Sequence, residues 1–411
     1  MADPPRQPNA WTTLTDIVAW SDEAIGTLPT TPGVYAFENA DGHTLRLTTT
    51  SNLRRAVRDR RVTHVENQSS DPSAIDPVWQ VNHVAYAAAG SRLESDLIYL
   101  ETARDRLPHT YARLFDRLAC WFVTCDVNAA FPRWTKQKWP GATVDDPSAW
   151  IGPFLDKHVA QRYIEMLENA FDLCRYHHIL TQSPRGVACA YKEMGRCAAP
   201  CDGTVTMDDY RASIRAAIAF ARTPYEDALA DLEQRMTEAS AALEFEIASA
   251  LHRHHGAISY AGHAKAQLAR GADALRGVIM ASSPTLRHVR VFSMAAGRIV
   301  LIGDADTVDS AEVMIEQGHR RAGGEPVDVT PAAQERFAVL MHGLEYARRK
   351  GDHRVLVHWN GDPPLSPRWF DRCTAASGAR EDGVRVDADE GVADDSFDIS
   401  EDIPESRDGP S

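Results

Sequence analysis

The sequence predicts an α+β protein of several small parts. They are a small mixed sheet with helices, a cysteine-rich linking segment, an α-helical hairpin, a small C-terminal α+β domain and a disordered acidic tail. Three observations predict this. Short β-rich runs separated by turn residues occur towards both ends of the chain. Apolar residues recurring every three or four positions dominate the middle. Four of the seven cysteines gather between Cys174 and Cys201, where neither pattern holds.

The 411 residues suffice for several domains of roughly 100–200 residues each. No run of about 18 apolar residues occurs, so no membrane span is expected. The opening MADPPRQPNAW has no apolar core, so the expected compartment is the cytoplasm, where thiols stay reduced. The net charge of −14 is unevenly spread: residues 380–411 carry twelve acidic residues against three arginines. That tail has too few large apolar groups to pack and reads as a solubilising, disordered segment. The rest of the chain is mildly acidic, and a nucleic-acid partner stays compatible with it.

The boundaries follow from the chain in order. Residues 1–28 are an N-terminal extension. Residues 29–115 begin with a β-hairpin: Val34 to Phe37, a turn at Asn39-Ala-Asp-Gly42, and a return from Thr44 to Thr48. Ser51 or Asn52 caps a helix that starts LRRAVRDRR. A strand ending near residue 88 and a helix over about 91–106 complete this part, with Pro108 as the stop. Arg54, Arg58 and Arg61 recur on one helix face, with Arg55 beside them, and such a face suits phosphate contacts or plain solvation.

Residues 116–205 link this part to the hairpin. LACWFVTC, 118–125, reads as a buried strand, with Cys120 and Cys125 as core residues. PRWTKQKWPG returns as its hairpin partner; its Trp134 and Trp139 with Lys136 and Lys138 offer a stacking and phosphate surface, or the tryptophans pack in the hairpin core. Ala160, Tyr163, Ile164, Leu167 and Phe171 mark an amphipathic helix over 157–173. Over 206–256, Ile214, Ile218 and Ala221 form one stripe, and Thr223-Pro224 interrupts it. Tyr225, Leu229, Leu232, Met236, Ala239, Leu243 and Ile247 form a second, which predicts two antiparallel helices, the second long. Residues 257–375 hold a hairpin around Ala296-Gly297, a helix near 331–350 and a strand near 354–359. Residues 376–411 are the tail.

Cys174, Cys189, Cys197 and Cys201 have the spacing C-x14-C-x7-C-x3-C. Clustered thiolates bind a soft metal centre. Zinc sites usually present C-x2-C pairs, and the wider spacing suits a larger cluster better. Reduced cysteines without metal are the alternative. Cys373 is isolated.

The stretch CAYKEMGRCAAPC, Cys189 to Cys201, resembles the cysteine segment of the UvrC family, the nuclease subunit of bacterial nucleotide excision repair. The resemblance extends upstream through WIGPFLDKHVAQRYIEMLENAFDLC. It continues downstream through LADLEQRMTEASAALEFEIASALHRHH, which is similar to the UVR motif that docks on UvrB. PTTPGVYAFENADG resembles the opening of a GIY-YIG nuclease domain. The resemblance implies a 4Fe–4S cluster on Cys174, Cys189, Cys197 and Cys201, DNA as a partner with Arg54, Arg55, Arg58 and Arg61 as contacts, and UvrB at the hairpin. It implies catalytic roles for Tyr35 and Glu94 with Mg2+ or Mn2+. The nuclease pattern is degenerate, however. The Tyr-Ile-Gly positions read Arg46-Leu47-Thr48, the helix arginine position is Ala56, and the metal-binding glutamate position is Tyr99. The expectation is therefore a non-catalytic DNA- or UvrB-binding accessory factor. An endonuclease with a relocated site, or a redox-responsive DNA-binding regulator, are the alternatives.

Overall fold

The computed structural model describes residues 14, 16–70, 81–108, 111, 120–138, 150–262, 266, 268–295, 297–324, 330–352 and 354–375, without the side chains of 64–70. The acidic tail, half of the N-terminal extension (1–13 and 15) and Trp139 lie outside these residues. The described residues fall into two units. One joins the described residues up to 111 with those of 276–324 and 335–375, and the other holds those of 120–275 with 330–334.

In the first unit, β1 (Asp16–Ala19), α1 (Asp22–Gly26), β2 (Gly33–Glu38), β3 (Thr44–Thr50), α2 (Leu53–Ser70), β4 (His83–Ala88) and α3 (Arg92–Arg106) follow in order. The sheet order is β1-β4-β2-β3. Tyr35 is the register marker, opposite Thr48 on β3 and Tyr86 on β4. The sequence led us to expect a mixed sheet; every pairing here is antiparallel. The reason is the α2 crossover. It returns β4 in the direction of β3, but on the far side of β2, so each neighbour opposes β2. The hairpin turn forms as expected, with Asn39 Oδ1 accepting from the amides of Asp41 and His43. Asn52 Oδ1 accepts from Arg55 N at 2.9 Å and caps α2. Strand β2 is buried on both faces, and Tyr35 and Phe37 pack with Leu53, Val57 and Val84.

The same unit contains a second sheet. Strands β9 (Arg276–Ser282), β10 (Val289–Ala295), β11 (Arg298–Ala305) and β12 (Val355–Trp359) order as β11-β10-β9-β12, again antiparallel. Helices α10 (Val308–Gly324), α11 (Pro331–Lys350) and α12 (Pro367–Ala375) accompany it. Val278, Met280, Val289 and Val291 pack with Ile315, Trp369 and Phe370 as its core. The hairpin at Gly297, the helix at 331–350 and the last strand were expected from sequence; β9, α10 and α12 were not.

The second unit carries the sheet β6-β5-β7-β8, from β5 (Trp121–Thr124), β6 (Thr135–Lys138), β7 (Trp150–Phe154) and β8 (Arg270–Gly271). Helix α4 (Lys157–Ala170) buries Ala160, Tyr163, Ile164 and Leu167 in its core. The short helices α5 (His177–Leu180) and α6 (Ala190–Glu193) follow, then α7 (Met207–Arg222), α8 (Tyr225–Ala241) and α9 (Phe245–Ile258). Helix α7 starts with a complete capping box: Thr206 Oγ1 accepts from Asp209 N, and the Asp209 carboxylate accepts from Thr206 N.

Here the structure corrects the two-helix expectation for residues 206–256. The long second helix is itself broken, and the hairpin is α8–α9. Helix α7 instead belongs to the core through Tyr210, Ile214, Ala217 and Ala221. The break at Leu243 is a Schellman turn. Leu243 N donates to Ser240 O and Glu244 N donates to Ala239 O, with Leu243 at φ 61°. Glycine usually fills this left-handed position, and leucine hid it from the periodicity. No helix among the described residues is long and apolar enough to cross a membrane.

Candidate functional site

The cysteine segment folds as a chain of tight turns. Cys174 follows the end of α4, Cys189 is the N-cap of α6, and Cys201 lies in the 3-10 turn Pro200–Asp202. Gly195 and Gly203 take φ 67° and 81°, conformations that reverse the chain around Cys197 and after Cys201. Backbone hydrogen bonds stitch the turns together. Ala198 N donates to Asp172 O at 3.1 Å and Gly186 N to Cys201 O at 2.8 Å. Ser183 Oγ donates to Pro200 O at 2.6 Å, and Arg175 Nη1 to Arg196 O at 2.8 Å. Lys192 holds Asp202 at 2.5 Å, and its hydrogen bond draws that carboxyl down to about 2.

This stitching buries Cys174, Cys197 and Cys201, while Cys189 is half-buried; all four are free thiols. Cys174 and Cys197 meet directly. Contact with the Cys174 thiol lowers Cys197 to about 6; the Ala199 amide, 3.4 Å from its sulfur, and Arg175 assist, against burial. The same contact, with burial, raises Cys174, whose Sγ is hydrogen-bonded to Tyr176 O at 3.6 Å. Burial also raises Cys201, and its charge is felt at Cys174. The structure thus brings Cys174, Cys197 and Cys201 within electrostatic reach of one another, and Cys189 shows no such interaction with them. Among the described residues no three His, Cys, Asp or Glu side chains converge as ligands of one ion. The donor set nonetheless fits a thiolate-bound cluster: four unoxidised thiols on one turn-rich segment, one of them acidic, with a backbone amide aimed at its sulfur.

The expected nuclease residues lie in the first unit. Tyr35 is 6% exposed, and burial raises its hydroxyl against the pull of Arg46 and Arg60, so it stays protonated at neutral pH. Glu94 is 4% exposed. Its Oε2 accepts from Gly90 N at 2.8 Å, and its Oε1 meets Arg290 at 2.5 Å. Burial pushes this carboxyl up and Arg290 opposes it. Arg290 also bonds Asp304 at 2.8 and 3.0 Å. Glu101 is held likewise, by Arg336 at 2.6 Å and Arg104 at 2.7 Å. Arg290 and Arg336 were not found from sequence. They come from β10 and α11, far along the chain, and nothing local signals such pairings.

The arginine face of α2 divides. Arg54 Nε donates to Leu28 O at 2.7 Å, and Arg61 binds Asp22 at 2.5 Å and Trp20 O at 2.8 Å. These two fasten α2 to the α1 region. Arg55 and Arg58 are exposed, Arg55 beside Asp59 at 3.5 Å. At the turn of the α8–α9 hairpin, Leu243, Phe245 and Ile247 are 70%, 66% and 52% exposed.

Sequence comparison now bears on this geometry. Residues 123–220 match the family model of the UvrC/Cho excinuclease middle domain. That span runs from β5 through α7 and contains all four cysteines of the UvrC-like segment. Similarity to curated proteins extends beyond this span. The chain is 24% identical over 72% of its length to the UvrABC system protein C of Trichlorobacter lovleyi, covering 44% of that protein. It is 26% identical over 82% of its length to that of Desulforudis audaxviator, covering 54%. With the counterpart from Acidobacterium capsulatum it shares 28% identity over 55% of its length, covering 34% of that protein. The chain spans about half the length, or less, of the curated relatives it matches. No solved structure matches it.

Proposed function

We propose that this chain is a UvrC-like component of nucleotide excision repair that works by binding DNA and docking UvrB, without cutting DNA itself. The observation that carries this reading is the engagement of the α3 carboxylates. A divalent ion at Glu94 would have to displace both Arg290 and the Gly90 amide, and one at Glu101 would have to displace Arg336 and Arg104. With Tyr99 fully buried at the usual metal-ligand position, the expected GIY-YIG site has no carboxylate to offer an ion.

Cys174, Cys189, Cys197 and Cys201 would hold a 4Fe–4S cluster. When bound, it supplies a covalent crosslink between the end of α4, the α6 loop and the turn that leads into α7. The exposed Leu243, Phe245 and Ile247 at the turn of the α8–α9 hairpin are the apolar contact for the matching UvrB hairpin. Arg55 and Arg58, whose charges are not spent on fastening α2, contact DNA phosphate. A redox-responsive role is a second reading, because the Cys174 contact and the Ala199 amide hold the Cys197 thiol below its ordinary value.

The test is incubation of the purified chain with bubbled DNA and Mg2+ or Mn2+, with and without UvrB. We expect DNA retention and UvrB co-elution with no incision. Incision abolished by Glu94→Gln would establish the endonuclease instead.

A further inference from the structure

The second unit carries a two-part cleft along β6. One compartment, of about 820 Å³, is lined by Asn128, Phe131, Gln137 and Trp150, among others. The other, of about 470 Å³, is lined by Trp134, Lys136, Tyr176 and His178. Arg133, Thr135 and His177 line both, so the two adjoin. Of these residues, the sequence singled out only Trp134 and Lys136, as part of a stacking and phosphate surface.

The smaller compartment is built for an anion. Arg133 is exposed, and among the described residues it makes no ion pair and Lys136 Nζ is bonded only to the neutral Gln161 Oε1, at 2.8 Å. Their charges are therefore not cancelled within the fold. Arg175 adds a third cation, partly answered by Asp172 and Cys197. The Trp134 side chain is 7% exposed, and its indole N–H is buried with no hydrogen-bond partner. Glu168 is the carboxylate of this compartment, and burial raises it to about 7, so it repels an anion only weakly at neutral pH. The larger compartment has another character. Phe131 and Trp150 are half-buried aromatic rings, with amides at Asn128 and Gln137 and one carboxylate at Asp126. A flat ring with hydrogen-bonding edges suits this lining.

We propose that the double cleft binds single-stranded nucleic acid. A backbone phosphate sits against Arg133 and Lys136, and an unstacked base enters the larger compartment against Phe131 and Trp150. The proposal rests on the DNA-binding reading above but uses residues on different elements. A cleft that accepts an unpaired base beside the cysteine segment would let the protein sense opened DNA without base-specific contacts.

The test is fluorescence anisotropy of the full chain with a labelled single-stranded oligothymidylate across a salt series. Arg133→Gln should weaken binding about tenfold, as loss of a charge-assisted hydrogen bond does. It should also reduce the slope of log K against log salt by about 0.7. Phe131→Ala should weaken binding at least about fivefold through lost stacking. Arg185→Gln removes an equal charge from the cysteine segment outside the cleft and should leave affinity near that of the unsubstituted chain. Circular dichroism unchanged in Arg133→Gln ties the loss to the contact. Wild-type affinity in both cleft variants overturns the proposal. So does competition by thymidine monophosphate or inorganic phosphate as effective as that by unlabelled oligonucleotide, since the ligand is then a free anion. If Arg55→Gln and Arg58→Gln weaken binding while the cleft variants do not, DNA binding stands and the cleft falls. If the unsubstituted chain retains no oligonucleotide, both fall.

Discussion

Arg290→Met is the perturbation that bears most directly on how the first unit is held together. Glu94 is 4% exposed and its charge is met by one guanidinium at 2.5 Å and one backbone amide at 2.8 Å. Methionine fills a similar space and removes the charge, which leaves a buried carboxylate with only the Gly90 amide. Breaking a buried pair from one side costs about 3–5 kcal/mol. The loss should depend on pH. Without Arg290 the folded-state carboxyl rises further above its unfolded value. The variant therefore keeps its stability below the unfolded carboxylate pKa of about 4.3 and loses it as pH rises through the folded one. Urea titrations at several pH values measure this. The double variant Glu94→Gln/Arg290→Met removes both charges and should recover most of the loss, because the amide still accepts from Gly90. An Arg290→Met variant within about 1 kcal/mol of the unsubstituted chain at pH 7, or a double variant as unstable as the single, would refute this account of the pair.

Three further outcomes are expected. Leu243→Gly should stabilise the chain by about 0.5–1 kcal/mol, since it relieves a left-handed residue at the hairpin turn; a lower melting temperature would count against the Schellman reading. Phe245→Ala should leave the fold intact and weaken UvrB capture about tenfold or more, as loss of an aromatic anchor does, measured by co-elution; unchanged capture would place the docking face elsewhere. Glu168→Gln should raise stability at pH 8 by about 1–3 kcal/mol but not at pH 4, because a carboxyl held up to about 7 by burial carries its penalty only when ionised; equal gains at both values would show that charge is not the cause.

Much of the fold was legible because local chemistry agreed with the tertiary outcome. The Asn39 turn, the Asn52 cap and the Ala160–Leu167 stripe each carry their own signal, and each forms as expected. What stayed hidden was set by distant partners or by an unusual residue. The apolar run of β9 reads as strand or buried helix until β10 and β12 flank it. Leu243 conceals a turn that glycine would have announced. The arginine face of α2 has a regular spacing, yet that spacing cannot say that Arg54 and Arg61 are committed to Leu28 and Asp22. The four cysteines were visible as a group. The lowered Cys197 thiol, and the greater exposure of Cys189, depend on turns that only the folded chain specifies.

The measurement that tests the central claim most directly is a metal and sulfide analysis of chain purified without oxygen. A UvrC-like cluster on Cys174, Cys189, Cys197 and Cys201 predicts about four iron and four acid-labile sulfide per chain, lost together in Cys201→Ser. One zinc per chain, or neither metal nor sulfide in a folded protein, would contradict it.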